Sequence, residues 1–423
     1  MKYNKKEIKK GITLHKINTT KFKTNLIAVF LTTKLNRENV TKNAVISSIL
    51  RRGCKNLPSQ EEISKQMEDM YGASFDCGLD KIGDNQVLKF YVETINDEFI
   101  PNTSENILNK ALESLFDIVF NPYVEEGGFK EQYLEQEKNN VQKRIEAKID
   151  NKARYAFDRC VEEMYKDDPF GLYKFGYVED LKNIDRKNLY EYYKELINTC
   201  KIDVFVSGIV DEKTTDLIEN NPNILKLIER NPNFIIPSVN NKKTVESEKI
   251  LTENMDVTQG KLILGLDISS NKQDFRYSAM LYNGILGASA NSKMFQNVRE
   301  KAHLAYVASS SYLRYKSNIF INCGIEIENY EKALDLIRKQ MEDMKQGDFT
   351  EKEIEDAKKG IVATINTIDD EQDTGIIFLF GQELSNEQVS IEEYIQKVND
   401  VKKEDIIDIA NSVTINTIYF LRN

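Results

Sequence analysis

Alternating apolar and polar positions mark a series of strands separated by long amphipathic helices. KTNLIAVFLTT near the start, QVLKFYVETI at 86–95, GKLILGLDI at 260–268 and NIFINCGIEI at 318–327 combine β-branched and aromatic residues with a period of two, the pattern of half-buried strands. Between them, EEISKQMEDMYG, the run from Glu131 to Tyr165, and EKALDLIRKQMEDMKQG repeat apolar residues at three and four, the spacing of one helix face. The strands are joined by hairpin-like links or by helices without a strict β-α-β rhythm, so an α+β fold is expected rather than a doubly wound sheet.

Two distant segments share one pattern. NIDRKNLYEYYKELINTCKIDVFVSGIV (183–210) and VNDVKKEDIIDIANSVTINTIYFLRN (398–423) each place an Asp shortly before a charged amphipathic helix and end in an alternating strand. Internal similarity of this kind predicts a tandem duplication: two homologous domains, each a mainly antiparallel sheet with helices packed on one side. The expected division is an N-terminal domain over 1–220, a linker over 221–249 and a C-terminal domain over 250–423. The linker stretch holds two Asn-Pro steps, a third Pro and a polar run, which leaves room for a short helix at most. A chain of 423 residues is long enough for two domains of about 200 residues.

Charge narrows the function classes. Acidic and basic residues are mixed along the chain and the net charge is −10, so no basic stripe offers a nucleic-acid footprint. The opening MKYNKKEIKKG leads into no apolar core of a secretory leader. The longest apolar runs, Leu26–Leu31 and Ile376–Phe380, fall far short of the roughly 18 residues of a membrane span. A cytoplasmic protein with neither nucleic-acid nor membrane partners is expected. Five scattered cysteines without a C-x-x-C pair fit reduced structural thiols better than a disulfide framework or a zinc knuckle. Neither G-x-x-x-x-G-K-[ST] nor G-x-G-x-x-G is present, and no G-x-S-x-G appears, which argues against a P-loop, a dinucleotide fold and a serine hydrolase. Paired carboxylates such as Glu61-Glu62, Asp167-Asp168 and Asp369-Asp370 read as solvated faces and helix starts.

The segment LYNGILGASANSKMFQNVREKAHLAY at 281–306 resembles the insulinase/pitrilysin family of zinc peptidases, in its mitochondrial-processing-peptidase-like branch. The likeness extends to QGKLILG at 259–265, EKEIEDAKKG at 351–360, the helical run FKEQYLEQEKNNVQKRIEAKIDNKARYAFDR and DDPFG at 167–171. It implies a two-copy architecture, in agreement with the duplication. It also implies an H-x-x-E-H helix that supplies two zinc ligands and a general base. Here that helix reads TKNAVISSILRRG. Aligning Arg52-Gly53 with the end of the family motif puts Ala44 and Ser48 at the two His positions and Ser47 at the Glu. The third ligand position falls at Arg144, within one or two residues. None of these side chains suits zinc, and a guanidinium repels it, so the site is degenerate and this chain is expected to hold no cofactor. Its two histidines, His15 on an expected strand and His303 in KAHLAY, lie far apart and read as ordinary surface or half-buried residues.

The second half of the family's site persists. Arg299 and Tyr306 match the arginine–tyrosine pair that, by resemblance, binds the substrate backbone and helps stabilise an oxyanion. The loop GASANS at 287–292 reads either as a turn between helices or as a backbone stretch, with Gly287 and Ser289, close enough to touch substrate. The resemblance therefore implies a catalytically silent subunit whose zinc sits on a homologous partner, the two enclosing an unfolded peptide. The alternative is a non-enzymatic peptide-binding or scaffold protein that kept the two-domain shell; a hydrolase with a displaced metal is a third reading.

Overall fold

The structure is a computed structural model describing residues 2–101, 106–232, 247–270, 272 and 274–423. The first half runs through β1 (Lys2–Lys9), β2 (Ile12–Asn18), β3 (Thr24–Lys34), α1 (Val40–Ile49), α2 (Gln60–Asp69), β4 (Ser74–Ile82), β5 (Asn85–Ile95) and α3 (Ile107–Phe120). A small hairpin, β6 (Val124–Glu125) and β7 (Gly128–Phe129), leads to α4 (Glu131–Glu146), α5 (Lys152–Met164), α6 (Val178–Leu181), α7 (Arg186–Thr199), β8 (Lys201–Gly208), α8 (Glu212–Glu219) and α9 (Pro222–Lys226). The second half contains β9 (Lys249–Asn254), β10 (Gly260–Ile268), α10 (Arg276–Asn283), β11 (Ala305–Leu313), β12 (Asn318–Ile325) and α11 (Tyr330–Lys345). It ends with α12 (Glu351–Asn366), α13 (Gln372–Leu384), α14 (Ile391–Asp400), α15 (Lys403–Ser412) and β13 (Val413–Arg422).

The sheets demonstrate the duplication. The first is ordered β1-β2-β8-β3-β5-β4 and the second β11-β12-β10-β13-β9. In each, one pair is parallel, β2 with β8 and β9 with β13, and the other pairs are antiparallel. Setting β1 aside, β2, β8, β3, β5 and β4 correspond in order to β9, β13, β10, β12 and β11. The repeated helix-strand segments fall on α7–β8 and α15–β13. Their caps differ: Asp185 accepts from the backbone N–H of Lys187 and Asn188, whereas the start of α15 is held by Asp405, which accepts from the Lys402 N–H at 3.1 Å.

The chain forms two compact units that are not continuous in sequence. Unit 1 comprises Met1–Ala147, Leu172–Ile235 and Asp369–Leu379; unit 2 comprises Lys148–Gly171, Ile236–Ile368 and Phe380–Asn423. The run from Glu131 to Tyr165, read as one helical stretch, is two helices. Asn151 starts the second by accepting from the Arg154 N–H at 3.0 Å. That second helix, α5, belongs to unit 2, where Ala156, Cys160 and Val161 pack with Ile263, Phe320, Tyr419 and Leu421 in one core. In the opposite sense, residues 372–379 of α13 belong to unit 1. There Gln372 donates to the Ser207 carbonyl at 2.9 Å and accepts from the Thr24 hydroxyl at 2.8 Å. In chain order α5 follows α4 as α13 follows α12, so the exchanged helices are themselves equivalent.

The start of the expected linker is packed into unit 1. Asn223 donates to Asp117 at 3.0 Å, and the buried Arg230 donates to the Ile197 carbonyl at 2.8 Å. Residues 233–246 of that linker lie outside the described residues. His15, expected at the surface or half-buried, is fully buried on β2. It stacks 4.1 Å from Phe205, and its Nε2 meets Asp203 at 3.0 Å. Burial pushes the Asp203 carboxyl up, but Lys201 and His15 outweigh it and hold it below the ordinary value. The extended β2–β8 register, which brings His15 opposite Phe205, explains the difference.

Candidate functional site

Helix α1 is apolar and enclosed. Val40, Val45, Ile46 and Ile49 are buried, and so are Ala44, Ser47 and Ser48 at 0%, 4% and 3% exposure. Ala44 is part of the unit 1 core with Ile27, Val29, Phe90 and Leu115. The Ser47 hydroxyl donates to the Ala44 carbonyl at 2.9 Å, which occupies its proton within its own helix. Helix α4 packs against α1 and carries Arg144, an exposed residue whose guanidinium lies 5.8 Å from the Phe175 ring centre. The fold therefore brings together the helices that carry the three positions aligned by resemblance with zinc ligands and the one aligned with the general base. The residues on them, a methyl group, two hydroxyls and a guanidinium, do not fit zinc. Among the described residues no group of three or more His, Cys, Asp or Glu could hold a metal ion.

A buried ion pair fastens these helices. Glu137 on α4, 2% exposed, accepts from the guanidinium of Arg52 and, at 3.2 Å, from Asn140. Arg52 is followed by Gly53, which is extended (φ 161°) rather than in the left-handed helix-ending conformation. A side chain there would meet the Pro58 carbonyl oxygen at 2.6 Å, so this glycine serves close packing.

Arg299 and Tyr306 stand on a different kind of surface. Arg299 lies in the wide helical turn Met294–Lys301 with its side chain 43% exposed. Its guanidinium rests 4.6 Å from the Phe295 ring centre and reaches Glu300 at 3.4 Å. Tyr306 enters β11, an edge strand of its sheet. Pairing there steps from Ala305–Ile325 to Val307–Gly324, so Tyr306 is the extra residue of a bulge that turns its side chain outward; it is 60% exposed. Its hydroxyl donates to Glu326 at 2.6 Å, a bond that raises the phenol above the ordinary tyrosine value. The proton that the resemblance assigns to an oxyanion is thus directed at a carboxylate. The sequence does not point to Glu326, because AYVASSSYL at 305–313 lacks the clear alternation of a strand and so hides the pairing with β12.

Residues 183–361 match the family model described as the peptidase M16 inactive domain. The probable inactive metalloprotease YmfF of Bacillus subtilis (strain 168) is 34% identical over 414 residues, covering 97% of this chain and 96% of the relative. The chain belongs to the M16 peptidase family. A conserved protein from Enterococcus faecalis V583 has a similar crystal structure, with a TM-score of 0.91 at 27% identity over 100% of this chain and 98% of the other. The uncharacterized zinc protease YmxG of Bacillus subtilis (strain 168) is 23% identical over 59% of each chain. The insulinase-type family expected from the 281–306 segment is borne out.

Within this M16 chain, Gly287 is buried and a side chain there would lie 2.5 Å from the backbone nitrogen and hydroxyl of Ser310. It allows the turn Gly284–Ala288 to approach β11, and that contact accounts for the glycine without substrate. Gly287→Ala is expected to cost about 1–3 kcal/mol by overpacking, read as a lowered urea midpoint with an unchanged slope; an unaltered midpoint would contradict the contact. Ser289 is exposed, and its carbonyl accepts from the Ser292 hydroxyl at 2.6 Å. In unit 1, a cleft of about 600 Å³ opens beside β4 and β5, with Asp76, Lys89, Tyr91, Glu93, Glu371 and Asp373 among its lining residues. No helix among the described residues is long and apolar enough to cross a membrane.

Proposed function

We propose that this chain is a non-catalytic subunit of a zinc-dependent peptidase, binding an unfolded peptide while a homologous partner carries the zinc. The observation that supports it most is the contrast between the two halves of the family site. The positions aligned with the three zinc ligands and the general base hold Ala44, Ser48, Arg144 and Ser47, three of them buried, whereas Arg299 is exposed in its helical turn and Tyr306 on a bulged sheet edge. The two-unit fold is kept whole, which fits a protein still selected for what its surface holds. In Bacillus subtilis, a relative called an inactive metalloprotease occurs alongside one called a zinc protease, the kind of pair the proposal requires.

In this reading Arg299 supplies the cation. Its guanidinium has more N–H groups than Glu300 can use, so it can donate to a peptide carbonyl. Within the first unit, the cleft beside β4 is of a size common among ligand sites and is a separate candidate contact for peptide. The test begins with the purified chain, which is expected to hold no stoichiometric zinc by elemental analysis. It should co-purify with a zinc-bearing homologue and raise that homologue's peptidase activity. In the assembled pair, Arg299→Ala should raise KM by about tenfold, the equivalent of one lost hydrogen bond to a charged group. One zinc per isolated chain would remove the proposal, and so would a homologue whose activity ignores this chain; in that second case, peptide binding by the chain would leave the scaffold reading in its place.

A further inference from the structure

The hydrogen bond between Tyr306 and Glu326 constrains what that edge can bind. A phenol carries one proton, and at 2.6 Å from Glu326 it is engaged in a short, charge-assisted bond. What remains facing outward is the lone pairs of the phenol oxygen and the second oxygen of Glu326, all of them acceptors. Glu326 is exposed at the end of β12, and among the described residues no lysine, arginine or histidine forms an ion pair with it. The bulge leaves Tyr306 60% exposed beside this unneutralised charge. A carbonyl oxygen meets only repulsion there, whereas an ammonium or guanidinium finds two acceptors, a negative charge and an aromatic face.

We propose that Tyr306 and Glu326 form a cation subsite that takes a lysine or arginine side chain, or the terminal amine, of the bound peptide; this rests on the peptide-holding function proposed above. Arg299 and this subsite then have opposite demands, one accepting carbonyl oxygens and the other cationic donors. Tyr306 serves here as an acceptor and a ring rather than as an oxyanion donor, and Glu326 sets the charge preference.

The experiment uses the full chain with 3-fluorotyrosine at position 306 and follows its fluorine resonance during titration. The probes are two unstructured dodecapeptides that differ at one central residue, lysine or Nε-acetyl-lysine, with both termini blocked. The lysine peptide is expected to shift the resonance and to bind about fivefold more tightly, in keeping with one exposed ion pair assisted by an aromatic face. Glu326→Gln, which can still accept the Tyr306 proton, should remove the preference and leave the affinity for the acetylated peptide unchanged. Equal binding of both peptides to the wild type, or a preference that survives Glu326→Gln, overturns the subsite and leaves the peptide-holding function standing. Binding of neither peptide overturns both.

Discussion

Arg52→Ala is expected to destabilise the protein by about 3–5 kcal/mol, the cost of removing one partner from a buried ion pair. The Glu137 side chain is 3% exposed and that of Arg52 24% exposed, so without the guanidinium the carboxylate stays buried, with Asn140 its remaining hydrogen-bond donor among the described residues. For a domain of this size such a loss lowers Tm by about 6–20 °C. Glu137→Gln should be milder, about 1–2 kcal/mol, because an amide oxygen still accepts from Arg52 and the unpaired cation sits nearer water. Urea unfolding followed by far-UV circular dichroism separates the cases. A loss below about 1 kcal/mol for Arg52→Ala, the range of exposed pairs, would mean that Glu137 is solvated in the native protein.

Residues 247–423 expressed alone are expected not to fold. That segment contains the whole second sheet but lacks α5, so Ile263, Phe320, Tyr419 and Leu421 lose the helix that covers them. Burial of each such side chain contributes about 1.5–3 kcal/mol. The four together are therefore worth about 6–12 kcal/mol, comparable with the full stability of a typical domain. Supplying residues 1–232 on a second chain restores α5 and gives residues 372–379 their place in unit 1, so the co-expressed pieces should form a stable one-to-one complex. A dispersed NMR spectrum and a cooperative melt from 247–423 alone would show that α5 is dispensable.

Period and repetition made much of this fold legible. Gly260–Ile268 coincides with its expected strand, and Thr24–Lys34 and Asn85–Ile95 differ from theirs by a residue or so. The matched strand orders follow from the helix-strand segment seen twice in the sequence. Other features were hidden for physical reasons. The outer strands β4 and β11 have mixed burial because a sheet edge has less need to alternate. The break between α4 and α5 depends on one capping asparagine, and the assignment of α5 to unit 2 is a non-local choice that local period cannot encode. The positions aligned with the metal site rest on residue types and on the resemblance alone. Glu326 could not be read in that way, since its role exists only once β11 and β12 are paired.

The exchange of equivalent helices bears on how such a chain could arise. Before the duplication, a single copy would have carried a helix that its own sheet did not use, and a sheet face with no helix of its own to cover it. Two copies exchanging that helix would satisfy both needs at once, in the manner of a domain-swapped dimer. Fusion of the two genes would then have joined an assembly that already existed, and each copy was afterwards free to lose residues the other did not need. On that view dimerisation came before the two-unit chain, and the partnership with a zinc-bearing homologue proposed above would repeat, one level up, the same division of labour between copies.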